Sequence, residues 1–172
     1  AIALARRIRD VQVMGVDLSE EMLAVARRKV EARGLDSRIV LERGDAEHLE
    51  VADASVDAAT VAFGVRNFGD LAAGLRELAR AIRPGGKVVI LEFSWPRNRV
   101  FRALYEFYSY KILPRIGGLV SRDKRAYEYL PASVGEFPAP AEFLGMMEKA
   151  GFRNCRAKSQ SCGIAQIYIG ER

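Results

Sequence analysis

The sequence is poor in the residues on which metal sites and disulfide frameworks are built. Its 172 residues include one histidine and two cysteines. Cys155 and Cys162 are not spaced as CxxC and have no histidine near them, so neither a metal site nor a disulfide framework is indicated. Two reduced, structural thiols are the simpler interpretation, and we expect a cytoplasmic protein.

Long apolar runs and several catalytic signatures are also missing. No apolar run approaches the roughly 20 residues needed to cross a bilayer, and no signal peptide is visible. The sequence contains no GxSxG elbow, no Ser-His-Asp order and no GxxxxGK[ST] phosphate loop. His48 lies alone in a polar stretch, which is more typical of a solvated loop than of catalysis. These absences leave serine hydrolase, metal-dependent and P-loop chemistry without support.

Length and charge set broad limits on the protein. With 49% hydrophobic residues, 172 residues suffice for one domain with a real core, and we expect a single domain over 1–172. Twenty-seven basic against 22 acidic residues give a net charge of +5. That excess suits an anionic membrane surface, but its spread along the chain fits ordinary solubility equally well, and nucleic acid is not an expected partner.

Strands alternate with helices through the first half of the chain. The predicted strands are Val11–Asp17, Arg38–Arg43, Val56–Phe63 and Lys87–Phe93. The predicted helices are one that opens the chain, one capped by Ser19 and stopped by Gly34, Leu71–Ile82, which ends at a turn over Arg83–Gly86, and Ala141–Ala150. This alternation predicts an α/β fold with a mostly parallel, doubly wound sheet. Phe152–Lys158 and Gly163–Gly170 are expected to form an antiparallel edge at its C-terminal end.

Two acidic residues stand at the ends of neighbouring predicted strands. Asp17 is placed to accept hydrogen bonds from both hydroxyls of a ribose. Asp45 is placed to accept from an adenine amino group, while the Ala46 backbone N–H meets a ring nitrogen. The alternative is that both are solvated turn residues. Together they describe a nucleoside cradle better than either does alone.

Arg66 and Asn67 follow the third predicted strand, where active-site groups of open α/β sheets lie. Neither is a nucleophile. A guanidinium stabilises an oxyanion and a carboxamide orients a hydroxyl, so the pair suits a reaction in which a phenolic or enolic oxygen carries charge. The alternative is that Arg66 forms a structural ion pair with Glu92 at the end of the next strand.

Several segments together resemble the ubiquinone/menaquinone biosynthesis C-methyltransferase family. Phe63-Gly64-Val65-Arg66-Asn67 and Leu91-Glu92-Phe93-Ser94 are the most specific of them. The others are Val16–Leu23, Gly44–Glu47, Arg83–Gly86, Tyr127–Pro131, Phe137–Pro138, Ala150–Phe152 and Gly163–Ala165. The resemblance therefore covers essentially the whole chain.

This resemblance implies a Rossmann-like class I methyltransferase that transfers a methyl group from S-adenosylmethionine to a ring carbon of a polyprenylated quinol precursor. That precursor is demethylmenaquinol or a methoxy-polyprenyl-benzoquinol. Arg66 and Asn67 are then the expected catalytic residues. The cofactor residues implied are Asp17, Leu18, Met22, Asp45, Ala46, Ala62 and Phe63.

The sequence departs from the family in two ways. The first strand and the glycine-rich loop that holds the methionine end of the cofactor would fall before Ala1, so we expect an N-terminally incomplete domain that binds cofactor poorly. Ala62 stands where many members carry serine, which removes a hydroxyl contact but leaves a backbone contact. The alternatives are a catalytically inactive scaffold subunit and a methyltransferase for another lipid or small molecule.

The segment at about 96–140 is expected to be a helical and loop-like insertion that covers the substrate. Phe101–Pro114 is predicted to form a helix with an aromatic stripe, beside the basic residues Arg97, Arg99, Arg102 and Lys111. Core packing is the plainer interpretation of that stripe. The sharper hypothesis is peripheral contact with an anionic membrane, with a homodimer left open. The expected substrate residues are Tyr105, Tyr108, Tyr127 and Tyr129.

Overall fold

The structure is a computed structural model that describes residues 1–96, 100, 103, 107, 129 and 133–172. Most of the predicted helix Phe101–Pro114, with Tyr105, Tyr108 and its basic neighbours, lies outside the described residues, as does Tyr127. The described part of the chain divides into two compact units, residues 1–51 and 52–172. The single domain expected from the sequence stays a prediction. No helix in the described ranges is long and apolar enough to cross a membrane.

The first unit is built from two helices and two parallel strands. Its elements are α1 (Ile2–Arg7), β1 (Val13–Asp17), α2 (Glu20–Glu31) and β2 (Ile39–Arg43). β1 and β2 pair in parallel, with Val13 opposite Ile39 and Asp17 opposite Arg43. Asp17 and the residues after Arg43 therefore leave the sheet at the same edge.

Local signals in the sequence explain the bounds of α2. The Ser19 hydroxyl accepts the Met22 N–H at 3.2 Å, which confirms the predicted N-cap. Gly34 has φ +61°, a left-handed conformation that ends a helix at little steric cost. A small apolar core lies between the helices and the strands and is formed by Ala5, Val30, Leu35 and Ile39.

The second unit contains a four-stranded sheet and two helices. Its elements are β3 (Val56–Ala62), a 3₁₀ turn (Val65–Asn67), α3 (Leu71–Ala81), β4 (Ile82–Phe93), α4 (Pro140–Lys149), β5 (Arg153–Gln160) and β6 (Ala165–Glu171). The strand order is β3-β4-β6-β5. β3 and β4 are parallel, whereas β6 is antiparallel to both β4 and β5. The expected antiparallel C-terminal edge is confirmed, and the strands form two sheets within the described residues.

The junction between α3 and β4 differs from the sequence-based prediction. Ile82 was predicted as the end of the helix, but α3 ends at Ala81 and Ile82 already belongs to β4. The pairing jumps from Val56 opposite Ile82 to Ala58 opposite Lys87, so residues 83–86 bulge out of the ladder. The predicted break at Arg83–Gly86 is therefore present, but it interrupts a strand.

An aromatic and aliphatic core lies on the face of the sheet covered by the helices. The apolar stripe predicted for α3 supplies Leu75, Leu78 and the adjoining Ile82, all of which are buried. Phe143 of α4 meets Tyr168 of β6 edge to face, with ring centroids 4.6 Å apart. This packing fixes α4 over the antiparallel strands and satisfies the preferred geometry of aromatic pairs.

Both cysteines are free thiols in the second unit. Cys155 on β5 is half-buried, and burial together with the Glu148 carboxylate raises the pKa of its thiol. Cys162 is exposed. A raised pKa lowers the thiolate fraction at neutral pH, so the geometry agrees with a structural role for Cys155.

Gly86 is predicted to be a position at which alanine destabilises the second unit. A Cβ there would lie 2.6 Å from the Asp57 carbonyl oxygen and 2.9 Å from the Arg83 carbonyl oxygen, both of which are backbone atoms that yield little. Gly86→Ala should lower the free energy of unfolding by about 1–3 kcal/mol, as overpacking does. Urea denaturation measures the change.

Gly145→Ala is the matched control for this substitution. A Cβ at Gly145 meets nothing within 4 Å, and the residue lies inside α4. Alanine there should raise stability by about 0.5–1 kcal/mol through helix propensity. Equal effects of the two substitutions would contradict the steric account of Gly86.

Candidate active site

Asp17 closes a turn directly after β1 in the first unit. Its Oδ1 accepts the Ser19 N–H at 2.9 Å, which fixes the orientation of the carboxylate at the start of α2. Its other oxygen has no hydrogen-bond partner within the described part of the chain. One oxygen is therefore held and one remains for a ligand.

Asp45 repeats this arrangement after β2. The preceding Gly44 donates its N–H to the Asp17 carbonyl oxygen at 3.2 Å, which keeps the two strand ends together. Asp45 Oδ1 accepts the Glu47 N–H at 2.9 Å, and Oδ2 lies 4.0 Å from His48 Nδ1. Ala46 lies inside this turn. Both acids are turn residues, as the alternative expected, and each turn also presents a carboxylate oxygen.

Two apolar side chains flank Asp17. Leu18 and Met22 are 61% and 60% exposed, which is unusual for large apolar residues in a packed unit. A pair of carboxylates beside exposed apolar surface offers acceptors for hydroxyl and amino groups and a surface for a flat base. These acceptors and the apolar surface of the first unit fit the nucleoside part of S-adenosylmethionine.

Arg66 of the second unit is held by four contacts around its guanidinium. It lies in the 3₁₀ turn after β3, and its side chain is 10% exposed. Nη1 donates to Glu92 Oε1 at 2.7 Å and to the Phe63 carbonyl oxygen at 2.6 Å. Nε donates to Ser133 Oγ at 3.3 Å, and the guanidinium carbon lies 5.5 Å from the ring centroid of Phe93. The ion pair that the sequence offered as an alternative is present.

The other side of this ion pair is a fully buried carboxylate. Glu92 is 0% exposed. Its Oε2 accepts the Arg66 backbone N–H at 3.3 Å and its Oε1 accepts the Phe93 backbone N–H at 2.9 Å, in addition to the guanidinium. A buried charge is tolerated when it is paired and hydrogen-bonded in this way.

Phe63 has an unusual backbone conformation between β3 and the 3₁₀ turn. Its φ is +57°, a left-handed value that costs a non-glycine residue about 1–2 kcal/mol. Its N–H donates to the Leu91 carbonyl oxygen at 2.8 Å, and its ring stacks on Phe93 with centroids 4.3 Å apart. Ala62, the other expected cofactor residue of this unit, ends β3 opposite Leu91. The sequence carried no signal for the conformation of Phe63.

Asn67 and Tyr129 meet although 62 residues separate them in the chain. The Tyr129 hydroxyl donates to Asn67 Oδ1 at 2.8 Å. Asn67 was expected to be catalytic and Tyr129 to contact substrate, so the structure joins two predicted site residues directly. The contribution of Ser133 had no signal in the sequence, because a serine in a loop-like, proline-rich stretch has many ordinary roles.

A pocket of about 260 Å³ opens beside Arg66 in the second unit. Its lining combines apolar side chains with one guanidinium, one hydroxyl and one carboxylate. The lining residues are Val65, Arg66, Phe68, Gly69, Leu71, Ser133, Glu136, Phe137 and Pro138. A cleft in which apolar side chains and a few polar groups converge is a usual form of a small-molecule site.

Comparison with known sequences decides the family. The profile of the ubiE/COQ5 methyltransferase family matches residues 1–172. The chain belongs to this family. It is therefore an S-adenosylmethionine-dependent methyltransferase, and the resemblance drawn from its motifs is confirmed.

Individual relatives show the extent of the match. The ubiquinone/menaquinone biosynthesis C-methyltransferase UbiE of Geobacter sulfurreducens is 45% identical over 100% of this chain and 67% of its own length. The demethylmenaquinone methyltransferase of Thermus thermophilus is 44% identical over 100% of this chain and 77% of its own. A crystal structure of a SAM-dependent methyltransferase from Aquifex aeolicus has a TM-score of 0.70 at 19% identity and covers 99% of this chain and 75% of its own. The last likeness confirms the expected α/β methyltransferase fold.

Asp17 is predicted to contribute to cofactor affinity. Asp17→Ala removes the carboxylate oxygen available to a ribose hydroxyl, and the dissociation constant for S-adenosylmethionine should rise by the equivalent of about 1.5–3 kcal/mol, the range for hydrogen bonds to charged groups. Calorimetric titration of the full-length protein measures the change.

Asp36→Ala serves as the control for Asp17→Ala. Asp36 is an exposed carboxylate in the same unit, away from both strand ends. The Asp36→Ala substitution should leave the affinity for S-adenosylmethionine unchanged. An Asp17→Ala protein that folds and binds S-adenosylmethionine like the wild type would remove Asp17 from the site.

Proposed function

We propose that this methyltransferase moves a methyl group from S-adenosylmethionine to a ring carbon of a polyprenylated quinol precursor, either demethylmenaquinol or a methoxy-polyprenyl-benzoquinol. The observation that carries the proposal is the Arg66 guanidinium, which is held by Glu92, lines the pocket and adjoins Asn67 in sequence. The names of the relatives from Geobacter and Thermus support the same chemistry.

The cofactor role is proposed for the turns of the first unit. Asp17 would accept from ribose hydroxyls and Asp45 from the adenine amino group, with Leu18 and Met22 as apolar contacts and the Ala46 N–H as a donor. Ala62 and Phe63 of the second unit stay predicted cofactor contacts. When bound, S-adenosylmethionine supplies an electrophilic methyl group.

The chain's own task is to make the ring carbon of the substrate electron-rich. A quinol ring becomes a better carbon nucleophile when its adjacent hydroxyl group loses a proton, because the resulting oxyanion pushes electron density into the ring. Arg66, directly or through a water, would stabilise that oxyanion, and Asn67 would orient it. In the overall reaction the ring carbon exchanges its hydrogen, which leaves as a proton, for the methyl group.

Arg66 has donors left for this task. Nε and Nη1 are used by Ser133, Glu92 and Phe63, whereas Nη2 has no hydrogen-bond partner among the residues that the structure describes. A planar guanidinium fixed through one side presents the other in a defined direction. The pocket beside it is lined by the Phe68 and Phe137 rings, which suit a flat aromatic substrate.

Product analysis tests the proposal. Full-length protein is incubated with methyl-labelled S-adenosylmethionine and each candidate quinol, and label on a ring carbon is the expected result. Transfer only to a different lipid or small molecule would replace the quinol as substrate. Absence of both cofactor binding and label transfer would support the inactive scaffold expected as the alternative.

Arg66 is predicted to act in the chemical step. Arg66→Lys keeps the positive charge but loses the planar fork that reaches Glu92, Phe63 and Ser133 together. It should lower kcat by about 100-fold, the equivalent of about 2.7 kcal/mol for a lost oxyanion donor, and change the cofactor affinity far less. Steady-state kinetics and calorimetry separate the two effects.

Arg76→Lys on the exposed surface of α3 is the control for Arg66→Lys, and it should leave both constants unchanged. Normal turnover by the Arg66→Lys enzyme would exclude the proposed role of Arg66. A loss of cofactor affinity as large as the loss of kcat would move Arg66 from the chemical step to cofactor binding.

Peripheral membrane contact and a homodimer are the finer parts of the proposal. A prenylated substrate is dissolved in the membrane, so the ring needs a route out of the bilayer. The aromatic stripe and basic residues in the sequence of Phe101–Pro114 suit such a contact, at about 1 kcal/mol for each basic residue near an anionic surface. Sedimentation velocity of the full-length protein detects the dimer.

Co-sedimentation with anionic liposomes is predicted to depend on this stripe. Wild-type protein should sediment with liposomes at low salt and less at moderate salt, because the attraction is electrostatic. A folded Tyr105→Ser/Tyr108→Ser protein should sediment less, since aromatic burial is lost. Negligible sedimentation of both proteins at low salt would exclude the membrane contact.

A further inference from the structure

The buried carboxylate of Glu92 lies behind the proposed reaction centre. It does not line the pocket, yet it contacts the backbone and side chain of Arg66 and the backbone of Phe93. We infer that Glu92 is a positioning residue for methyl transfer, which acts by fixing the Arg66 guanidinium. The inference rests on the proposed function for its substrate.

The first part of the argument is the direction of the guanidinium. Glu92 Oε1 and the Phe63 carbonyl oxygen both receive hydrogen bonds from Nη1, at 2.7 and 2.6 Å, and Ser133 Oγ receives one from Nε at 3.3 Å. These acceptors fix three of the five N–H groups. The plane of the guanidinium is thereby set, and Nη2 is the nitrogen left for an oxygen in the pocket.

The second part is the conformation of Phe63. A left-handed φ of +57° persists in a bulky residue only where the surroundings hold it. The Arg66 guanidinium does so by binding the Phe63 carbonyl oxygen, and Glu92 holds Arg66 in place through the same nitrogen. Glu92 therefore links the orientation of Arg66 to the backbone of a predicted cofactor residue.

The charge of Glu92 is what this role requires. Glutamine has nearly the same shape as glutamate and keeps one oxygen as an acceptor. Its NH₂ group would replace the carboxylate oxygen that accepts the Arg66 backbone N–H. The negative charge that pairs with the guanidinium would also be lost. The Glu92→Gln protein should retain its fold while the guanidinium loses its fixed direction.

The kinetic experiment compares Glu92→Gln with the wild-type full-length enzyme on the quinol substrate. A positioning role predicts a kcat about tenfold lower, the effect of a misoriented donor, with the dissociation constant for S-adenosylmethionine changed less than about threefold. Glu171→Gln is the matched control. Glu171 is also ion-paired on this sheet, but it pairs with Lys87, five residues before Glu92 on β4, and its loss should leave kcat unchanged.

A second measurement needs no turnover. Glu92→Gln is introduced into the wild type and into a Phe63→Gly background, and urea unfolding is followed in all four proteins. If Glu92 holds Phe63 in its strained conformation, its replacement should shift the unfolding midpoint more when residue 63 is glycine, because the strain released by Phe63 offsets part of the lost ion pair and glycine has no strain to release. Equal shifts in both backgrounds would leave Glu92 as core packing and overturn that link.

The outcomes separate the inference from the proposed function. The inference is overturned if the wild-type enzyme methylates a quinol and the kcat of the Glu92→Gln enzyme is within twofold of the wild-type kcat. A wild type that methylates no quinol defeats the proposed function, and the unfolding comparison then decides the inference. If Glu92→Gln does not fold, Glu92→Asp, which keeps the charge but shortens the side chain, takes its place. It should also lower kcat, and unchanged kcat overturns the positioning account.

Discussion

A buried negative charge constrains the second unit more than any other feature. Removing a carboxylate from water costs several kcal/mol unless charged and polar partners replace the lost hydration. For Glu92 those partners are the guanidinium of Arg66 and two backbone N–H groups, which come from the turn after β3 and from the end of β4. The register of the two strands and the tight 3₁₀ turn must all be correct for the charge to be satisfied. One electrostatic requirement therefore fixes the region that carries the candidate chemistry.

In the first unit, carboxylates also accept backbone N–H groups and fix local turns, but they are not fully buried. Asp17 and Asp45 each use one carboxylate oxygen to close a turn, and the Gly44 N–H joins the ends of the two strands. Here the groups remain accessible to solvent, so no charge has to be compensated inside the fold. Parallel pairing places both turns at one edge, because the carboxyl ends of parallel strands leave a sheet on the same side. The chemistry of this edge is a consequence of strand direction.

Local patterns in the sequence predicted most bounds of the described helices and strands within about three residues, but β4 begins at Ile82, five residues before the predicted Lys87. The predictions of an N-cap at Ser19 and of a buried stripe with Leu75 and Leu78 are confirmed. Capping and periodic burial depend on residues that are close in the sequence, so a local pattern reveals them. Ile82 was assigned to the wrong element because its apolar side chain suits a helix stripe and a buried strand equally. The pairing of β4 with Val56 then decides in favour of the strand.

The sequence named the residues of the candidate site but gave few of the contacts that the structure shows among them. Motifs identified Arg66 and Asn67, and a charge opposite Arg66 suggested Glu92. The left-handed backbone of Phe63 and the bond from Tyr129 to Asn67 depend on partners that are distant or specific in geometry. Such contacts are properties of the folded chain, and no short pattern encodes them. The antiparallel edge was predicted from the sequence. The position of β6 between β4 and β5 was not predicted, because it also depends on contacts between distant segments.

The position of β6 bears on how the edge of β4 is covered. β6 follows both β4 and β5 in the chain, yet it pairs with both of them. Without β6, β4 would pair only with β3, and its other edge would present unpaired backbone groups beside the apolar Val88 and Ile90. An exposed edge of this kind is a template for association with other chains. Any chain that stops short of β6 therefore exposes an edge of β4 that the complete sheet covers.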